Sequence, residues 1–164
     1  LLSAGVDTTV SGIGSALWCL AQHPEQFQYL RSEPTNLSGP AFEEALRFCT
    51  PVQAFFRTAG QDTTVSDIEI EEGTKILCVL GAANRDPAKF ENPEAFDIGR
   101  DTRGHLALGV GVHSCVGQII ARAEGRAILG ALAERVSRIE FAGEPKWRPN
   151  NSMRALESLP LKLS

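Results

Sequence analysis

No run of lysine and arginine, and no interleaving of aromatic with basic side chains, occurs in this 164-residue chain of net charge −4. Nucleic-acid binding needs such a basic footprint and is not indicated. Long apolar runs are missing too: the longest, residues 76–83, is far too short to cross a bilayer. No signal peptide, repeat or low-complexity tract is visible. The cysteines, at positions 19, 49, 78 and 115, match no zinc-binding spacing. Three of them stand in apolar surroundings, which suits reduced core thiols in a cytoplasm. Met153 is the only methionine, and the chain opens at Leu1 inside a helical pattern with no cap. The expectation is one domain that lacks its N-terminal part.

Helical period is well represented. Val6, Val10, Ile13, Leu17 and Leu20 recur at spacings of three and four and predict a helix over 2–23. Gly5, Gly12 and Gly14 each cost that helix about 1 kcal/mol against alanine, so they mark close packing or a functional distortion. Pro24 starts a second helix through Arg31, and Gly39-Pro40 is expected to open a third that Thr50-Pro51 ends. Strand patterning follows at 53–59, and 64–71 with 74–80 reads as a hairpin about Glu72-Gly73. One helical turn is expected at 82–86. Residues 87–112 carry no sustained period, as functional loops often do. A helix after Cys115 should reach Arg135 with Val116, Ile119, Ile120, Ala123, Ala127 and Ala131 on one face, before a last strand at 159–163. The fold class is mainly α with small β-sheets.

The most informative stretch is Leu108-Gly109-Val110-Gly111-Val112-His113-Ser114-Cys115-Val116-Gly117. A glycine-punctuated loop delivers one cysteine to the start of an apolar helix. The helix N-terminus offers unpaired N–H groups and partial positive charge, which favour the anionic sulfur that binds metals. Gly109 and Gly111 allow turns that a Cβ would hinder, and Gly117 leaves room for a flat ligand at the first helical turn. A dinucleotide fingerprint fails because Ser114 stands where the third glycine belongs. A Cys–His nucleophile pair is disfavoured, since His113 and Cys115 are only two apart. Taken alone, such a cysteine would be a buried core thiol; the loop glycines and the histidine argue otherwise.

Other groups stand out. In Ala4-Gly5-Val6-Asp7-Thr8-Thr9 an acid and an alcohol lie beside a helical glycine, where freed backbone groups can hold water on a proton path. Glu44 and Arg47 share a helix face, and an exposed pair of this kind is worth ~0–1 kcal/mol. Arg57 ends Pro51-Val52-Gln53-Ala54-Phe55-Phe56-Arg57 as a charge at a strand edge, and Arg122 and Arg126 follow the cysteine on its helix.

The loop resembles the haem-binding signature F-x-x-G-x-x-x-C-x-G of the cytochrome P450 haem-thiolate monooxygenases, with Leu108 in place of the usual Phe. The resemblance implies that residues 1–164 are the C-terminal portion of a single monooxygenase domain of that fold. It implies haem b (iron protoporphyrin IX) as cofactor, with Cys115 as axial iron ligand; thiolate ligation favours O–O cleavage. His113 and Arg57 would then bind a propionate, and Gly109, Gly117, Ala4 and Gly5 would lie against the haem. Asp7 would deliver protons, Thr8 would hold the activated oxygen, and Ser3, Ala4, Val52 and Phe55 would face substrate. Glu44 and Arg47 become a buried pair that anchors the loop before the cysteine. Ala95 stands where the family has a third partner, so Arg100 or a backbone carbonyl is expected to substitute.

The implied redox partners are a ferredoxin and an NAD(P)H-dependent ferredoxin reductase. Arg122 and Arg126 would offer an acidic ferredoxin a positive face. Three phrases, 51–57, 109–113 and 156–160, are similar to bacterial members that oxidise para-substituted benzoates such as 4-methoxybenzoate. O-demethylation or hydroxylation of an aromatic acid by a cytoplasmic enzyme is the reading this supports. Two alternatives stay open: a non-catalytic haem-binding remnant and an inactive truncated fragment.

Overall fold

The computed structural model describes residues 2–164, with side chains from Gly5 onward. The first two helices are α1 (Leu2–Gln22) and α2 (Pro24–Ser32). Pro24 brings a helical φ to the start of α2, and Glu25 and Arg31 complement its dipole at either end. The third helix corrects the sequence expectation: α3 spans Pro34–Cys49, so Pro34 opens it and Pro40 lies inside. An interior proline costs a backbone hydrogen bond. Burial of Ala41, Phe42, Ala45, Leu46 and Cys49 on the same helix outweighs that loss.

The core sits where α1, α3 and α5 (Gln118–Arg135) close on Phe42. A Cβ on Gly125 of α5 would stand 2.5 Å from the Phe42 ring, and one on Gly12 of α1 would stand 3.2 Å from Leu46 Cδ2 of α3. Gly12 therefore marks close packing. Leu20, Phe27, Leu30, Ile98 and Leu129 fill the surrounding space. Cys19 of α1 meets Cys49 of α3 in this core, with Sγ to Sγ 3.5 Å.

The sheets are small antiparallel pairs. β1 (Ala54–Thr58) pairs with β4 (Lys75–Val79), not with a sequence neighbour. Between them β2 (Thr63–Val65) and β3 (Ile68–Ile70) form a hairpin of their own, so the expected 64–71 strand is really two. Ser66 and Asp67 turn that hairpin with φ of 47° and 66°, the left-handed pair that a tight two-residue turn requires. A short α4 (Leu80–Ala83) follows β4 directly. After α5, β5 (Ile139–Phe141) pairs with β8 (Leu161–Leu163), and β6 (Lys146–Trp147) with β7 (Leu156–Ser158). Trp147 meets Trp18 of α1 edge to face at 5.3 Å, which holds this tail on the helices.

The face expected to bury α5 is also corrected. Gly125, Leu129 and Ala133 point inward, whereas Val116 ahead of the helix and Ile119 within it are 84% and 78% exposed. Among the described residues no helix is long and apolar enough to cross a membrane.

The seating of Phe42 is testable. Gly125→Ala should destabilise the protein by about 1–3 kcal/mol through overpacking, despite the better helix propensity of alanine. Gly130→Ala on the same helix would place its Cβ in ordinary contact with Ser38, at 3.6 Å, and should be neutral or stabilising. Urea midpoints of the two variants decide the matter; equal shifts would rule out the tight approach.

Candidate functional site

The cysteine loop is built by backbone geometry. Gly109 has a φ of +72°, and a Cβ there would overlap the carbonyl oxygen of His113. Glycine is the residue that fits both demands. Gly111 at +58° opens a single 3-10 turn, Gly111–His113, and Ser114 N–H closes on the Gly111 carbonyl at 3.1 Å. The Cys115 N–H donates to the Leu108 carbonyl at 2.8 Å, which pins the cysteine across the loop. Cys115 is exposed and free, just ahead of the α5 N-terminus. A Cβ on Gly117, the residue that precedes α5, would lie 3.9 Å from its sulfur.

The loop is tied to the core through Glu44 and Arg47, both with 0% exposure. Arg47 grips Glu44 with two parallel bonds, Nε to Oε2 at 2.7 Å and Nη2 to Oε1 at 2.8 Å. Its remaining N–H groups reach the carbonyls of Asn84, Pro93 and Ala95 at 2.9, 3.0 and 3.1 Å. Arg100 Nε approaches Glu44 Oε1 at 3.3 Å, and the Asp97 N–H donates to that oxygen at 3.0 Å. Both a second arginine and the backbone carbonyl of Ala95 thus complete the pair. Buried Asn84 carries the connection onward. Its Nδ2 donates to Thr50 Oγ1 at 2.8 Å, and its Oδ1 accepts the Leu106 N–H at 2.6 Å, at the entry to the cysteine loop.

A second carboxylate, Glu43, meets His105 Nε2 at 2.8 Å and Arg122 Nε at 2.6 Å. Burial pushes the Glu43 carboxyl up, but the bonds from His105 and Arg122 outweigh it and hold the group below its ordinary value. Arg122 is therefore paired within the protein, with its side chain 40% exposed. Arg126 is exposed and reaches the Thr35 carbonyl at 3.3 Å.

The other sequence-derived residues lie in separate places. α1 runs unbroken through Gly5, Asp7 and Thr8, so the expected helix distortion is not a break. Ser11 Oγ donates to the Asp7 carbonyl at 2.6 Å, and the Asp7 side chain is on an exposed residue lining a shallow cleft with Arg148 and Asn150. Arg57 stays within its own strand, bonding the Phe56 carbonyl at 2.9 Å and lying over the Phe55 ring. Phe55 is 48% exposed and Val52 half-buried, and His113 is exposed. The side chains of Ser3 and Ala4 lie outside the described residues.

The model of the cytochrome P450 family matches residues 1–163. The chain belongs to the cytochrome P450 family. It is 53% identical, over its whole length, to cytochrome P450 CYP199A2 of Rhodopseudomonas palustris. It is 42% identical, over 98% of its length, to the biotin biosynthesis cytochrome P450 of Bacillus subtilis. Among solved structures, P450BioI bound to a fatty-acid-ligated acyl carrier protein superposes with a TM-score of 0.93 at 42% identity, covering 98% of this chain and 42% of that one. CYP108D1 of Novosphingobium aromaticivorans gives 0.92 at 40% identity, covering 99% of this chain and 39% of that one. The chain spans 40% and 41% of the length of the two curated relatives named.

Haem with cysteine-thiolate ligation is the family's cofactor, and the donor set here fits it. A single exposed thiol stands before a helix N-terminus, and the glycine at 117 keeps its flank free of a side chain. Sequence reading missed Asn84, Thr50, Glu43 and His105. Some signals existed: Asn84 is a polar residue after an apolar run, and Glu43-Glu44 places two carboxylates in one turn of a helix with an apolar face.

Two outcomes follow. Arg47→Ala strips the buried Glu44 carboxylate of its two-pronged partner, leaving only the longer Arg100 contact and the Asp97 N–H, and should cost about 3–5 kcal/mol in urea unfolding; a loss under ~1 kcal/mol would match an exposed pair instead. A carboxyl depressed on folding adds stability above its unfolded pKa and loses it as pH falls through the folded value. For Glu43 that loss falls on the acid side, from roughly pH 5 downward. Glu43→Gln should therefore show a shallower decline of the urea midpoint with acid; an unchanged slope would mean that Glu43 is not stabilised on folding.

Proposed function

We propose that the complete protein is a cytoplasmic haem-thiolate monooxygenase and that residues 1–164 are the C-terminal portion of its catalytic domain. The observation that carries this reading is the exposed Cys115 thiol at the end of a loop with glycine-only geometry, tied to a fully buried ion pair. When bound, haem iron activates O2, and the thiolate's electron density favours O–O cleavage. That chemistry would place one atom of O2 in the substrate and reduce the other to water with two electrons and two protons. Electrons arrive from NAD(P)H through a ferredoxin reductase and a ferredoxin.

The chain's own residues supply the rest. Cys115 holds the iron. Arg57 and His113 pair with haem propionates through charge-assisted bonds. Asp7 takes protons from water and passes them inward, and the Thr8 hydroxyl donates at the reacting oxygen. Gly5 and Ala4 leave room beside the haem on α1, as Gly109 and Gly117 do at the cysteine loop. Val52 and Phe55 would give the substrate an apolar wall that excludes water, and Ser3 and Ala4 are assigned to face substrate by the sequence resemblance alone. On the ferredoxin side, Arg126 is an exposed positive charge of α5 that an acidic partner could meet, beside the partly exposed Arg122.

The substrate class we favour is a para-substituted benzoate such as 4-methoxybenzoate, oxidised by O-demethylation or hydroxylation. Similarity of the phrases at 51–57, 109–113 and 156–160 to benzoate-oxidising members supports it. The relatives' own names span biotin biosynthesis, polyketide biosynthesis and menaquinone hydroxylation.

Val112, Val116, Ile119 and Ile120 are 97%, 84%, 78% and 66% exposed, and Val6, Val10 and Phe56 are exposed as well. Apolar side chains exposed in this number belong against a partner surface. These 164 residues alone should therefore bind haem poorly and show no monooxygenase turnover. The full-length protein loaded with haem should give a red-shifted Soret band in the reduced carbon-monoxide difference spectrum, and Cys115→Ser should lose it. Absence of that band in the full-length protein would end the monooxygenase reading. The band without turnover on any benzoate or other small substrate would favour the haem-binding remnant.

A further inference from the structure

His105 opens the segment that ends at Cys115, and its side chain is almost fully buried. The Ala107 N–H donates to His105 Nδ1 at 3.2 Å. Nδ1 is therefore the acceptor, and the ring proton sits on Nε2, where it donates to Glu43 Oε2 at 2.8 Å. The same carboxylate accepts from Arg122 twice, Nε to Oε1 at 2.6 Å and Nη2 to Oε2 at 3.3 Å. The third guanidinium nitrogen donates to Gln118 Oε1 in the first turn of α5. One carboxylate on α3 thus joins the chain before the cysteine to the helix after it. Glu44, the next residue, turns to Arg47, Arg100 and the Asp97 N–H. Consecutive glutamates hold successive parts of one long loop.

We propose that Glu43, His105 and Arg122 are positioning residues for Cys115. The Glu43 carboxylate clamps the loop ahead of the cysteine and the helix behind it, so the sulfur is presented at one depth against α5. The clamp is separate from the Glu44–Arg47 pair, which reaches the loop through Asn84 and the Leu106 N–H. Its purpose rests on the reading of Cys115 as haem ligand; its geometry does not.

The test is the alkylation rate of Cys115 in the full-length, haem-free protein, with half-buried Cys78 as internal reference. His105→Phe keeps a ring and removes the donor. His105→Gln restores an N–H near the Nε2 position. His105→Phe should raise the Cys115 rate about tenfold, equivalent to ~1.4 kcal/mol of anchoring, and leave Cys78 unchanged. His105→Gln should return the rate toward that of the parent, and Glu43→Ala should repeat the effect of His105→Phe. In haem-loaded protein, His105→Phe should shift the carbonyl complex from the red-shifted toward the shorter-wavelength, thiol-ligated form. An unchanged Cys115 rate in both His105→Phe and Glu43→Ala, or an equal rise at Cys78, overturns the proposal. If Cys115→Ser keeps the red-shifted band, the ligand reading fails, and the alkylation comparison still decides the clamp.

Discussion

A guanidinium without contact to water is tolerable only when each of its N–H groups finds an oxygen. Arg47 meets that condition with the Glu44 carboxylate and three backbone carbonyls. Those carbonyls belong to Asn84, Pro93 and Ala95, in a part of the chain with little regular structure. The demand of one buried charge thereby dictates where an otherwise irregular segment must run. Removing Glu44 would leave the Arg47 charge uncompensated, and removing Arg47 would leave Glu44 only the longer contact from Arg100 and the Asp97 N–H. Asn84 extends the constraint, because its amide spans from Thr50 at the end of α3 to the Leu106 N–H. The cysteine loop starts there.

The helical core serves the same end. Phe42 sits between Gly12 and Gly125, and α5 closes on α3 nearer than a side chain at position 125 would permit. That approach fixes the start of α5, and with it the place where Cys115 stands. α5 turns Gly125, Leu129 and Ala133 inward and leaves Ile119, Ile120 and Ile128 exposed, where an ordinary surface helix carries polar residues.

Much of the site was legible in the order of residues. The cysteine loop announces itself because glycines able to take positive φ and a cysteine before a helix occur at fixed local spacing, and Gly109 and Gly111 do take positive φ. The pairing of Glu44 with Arg47 is equally local, since residues three apart share a helix face. Pro40 misled because proline is a boundary signal that burial can override, as the apolar face of α3 does here. The hairpin misled because Ser66-Asp67 lacks the glycine that marks such turns. His105 and Asn84 left almost no trace, because their partners come from distant segments.

By itself, the sequence determined everything that depends on near neighbours: the helices, the glycine loop, the thiol at its end and the carboxylate–guanidinium pair. These follow from periodicity, backbone sterics and side-chain chemistry over a few residues. Tertiary structure alone decided the burial of Glu44 and Arg47, the role of Arg100, the joining of His105 to Arg122 through Glu43, and the outward face of α5. Each needs groups far apart in the chain to meet, and no local spacing encodes that. Their positions follow instead from close helix packing around Phe42 and from the requirement that buried charges be satisfied.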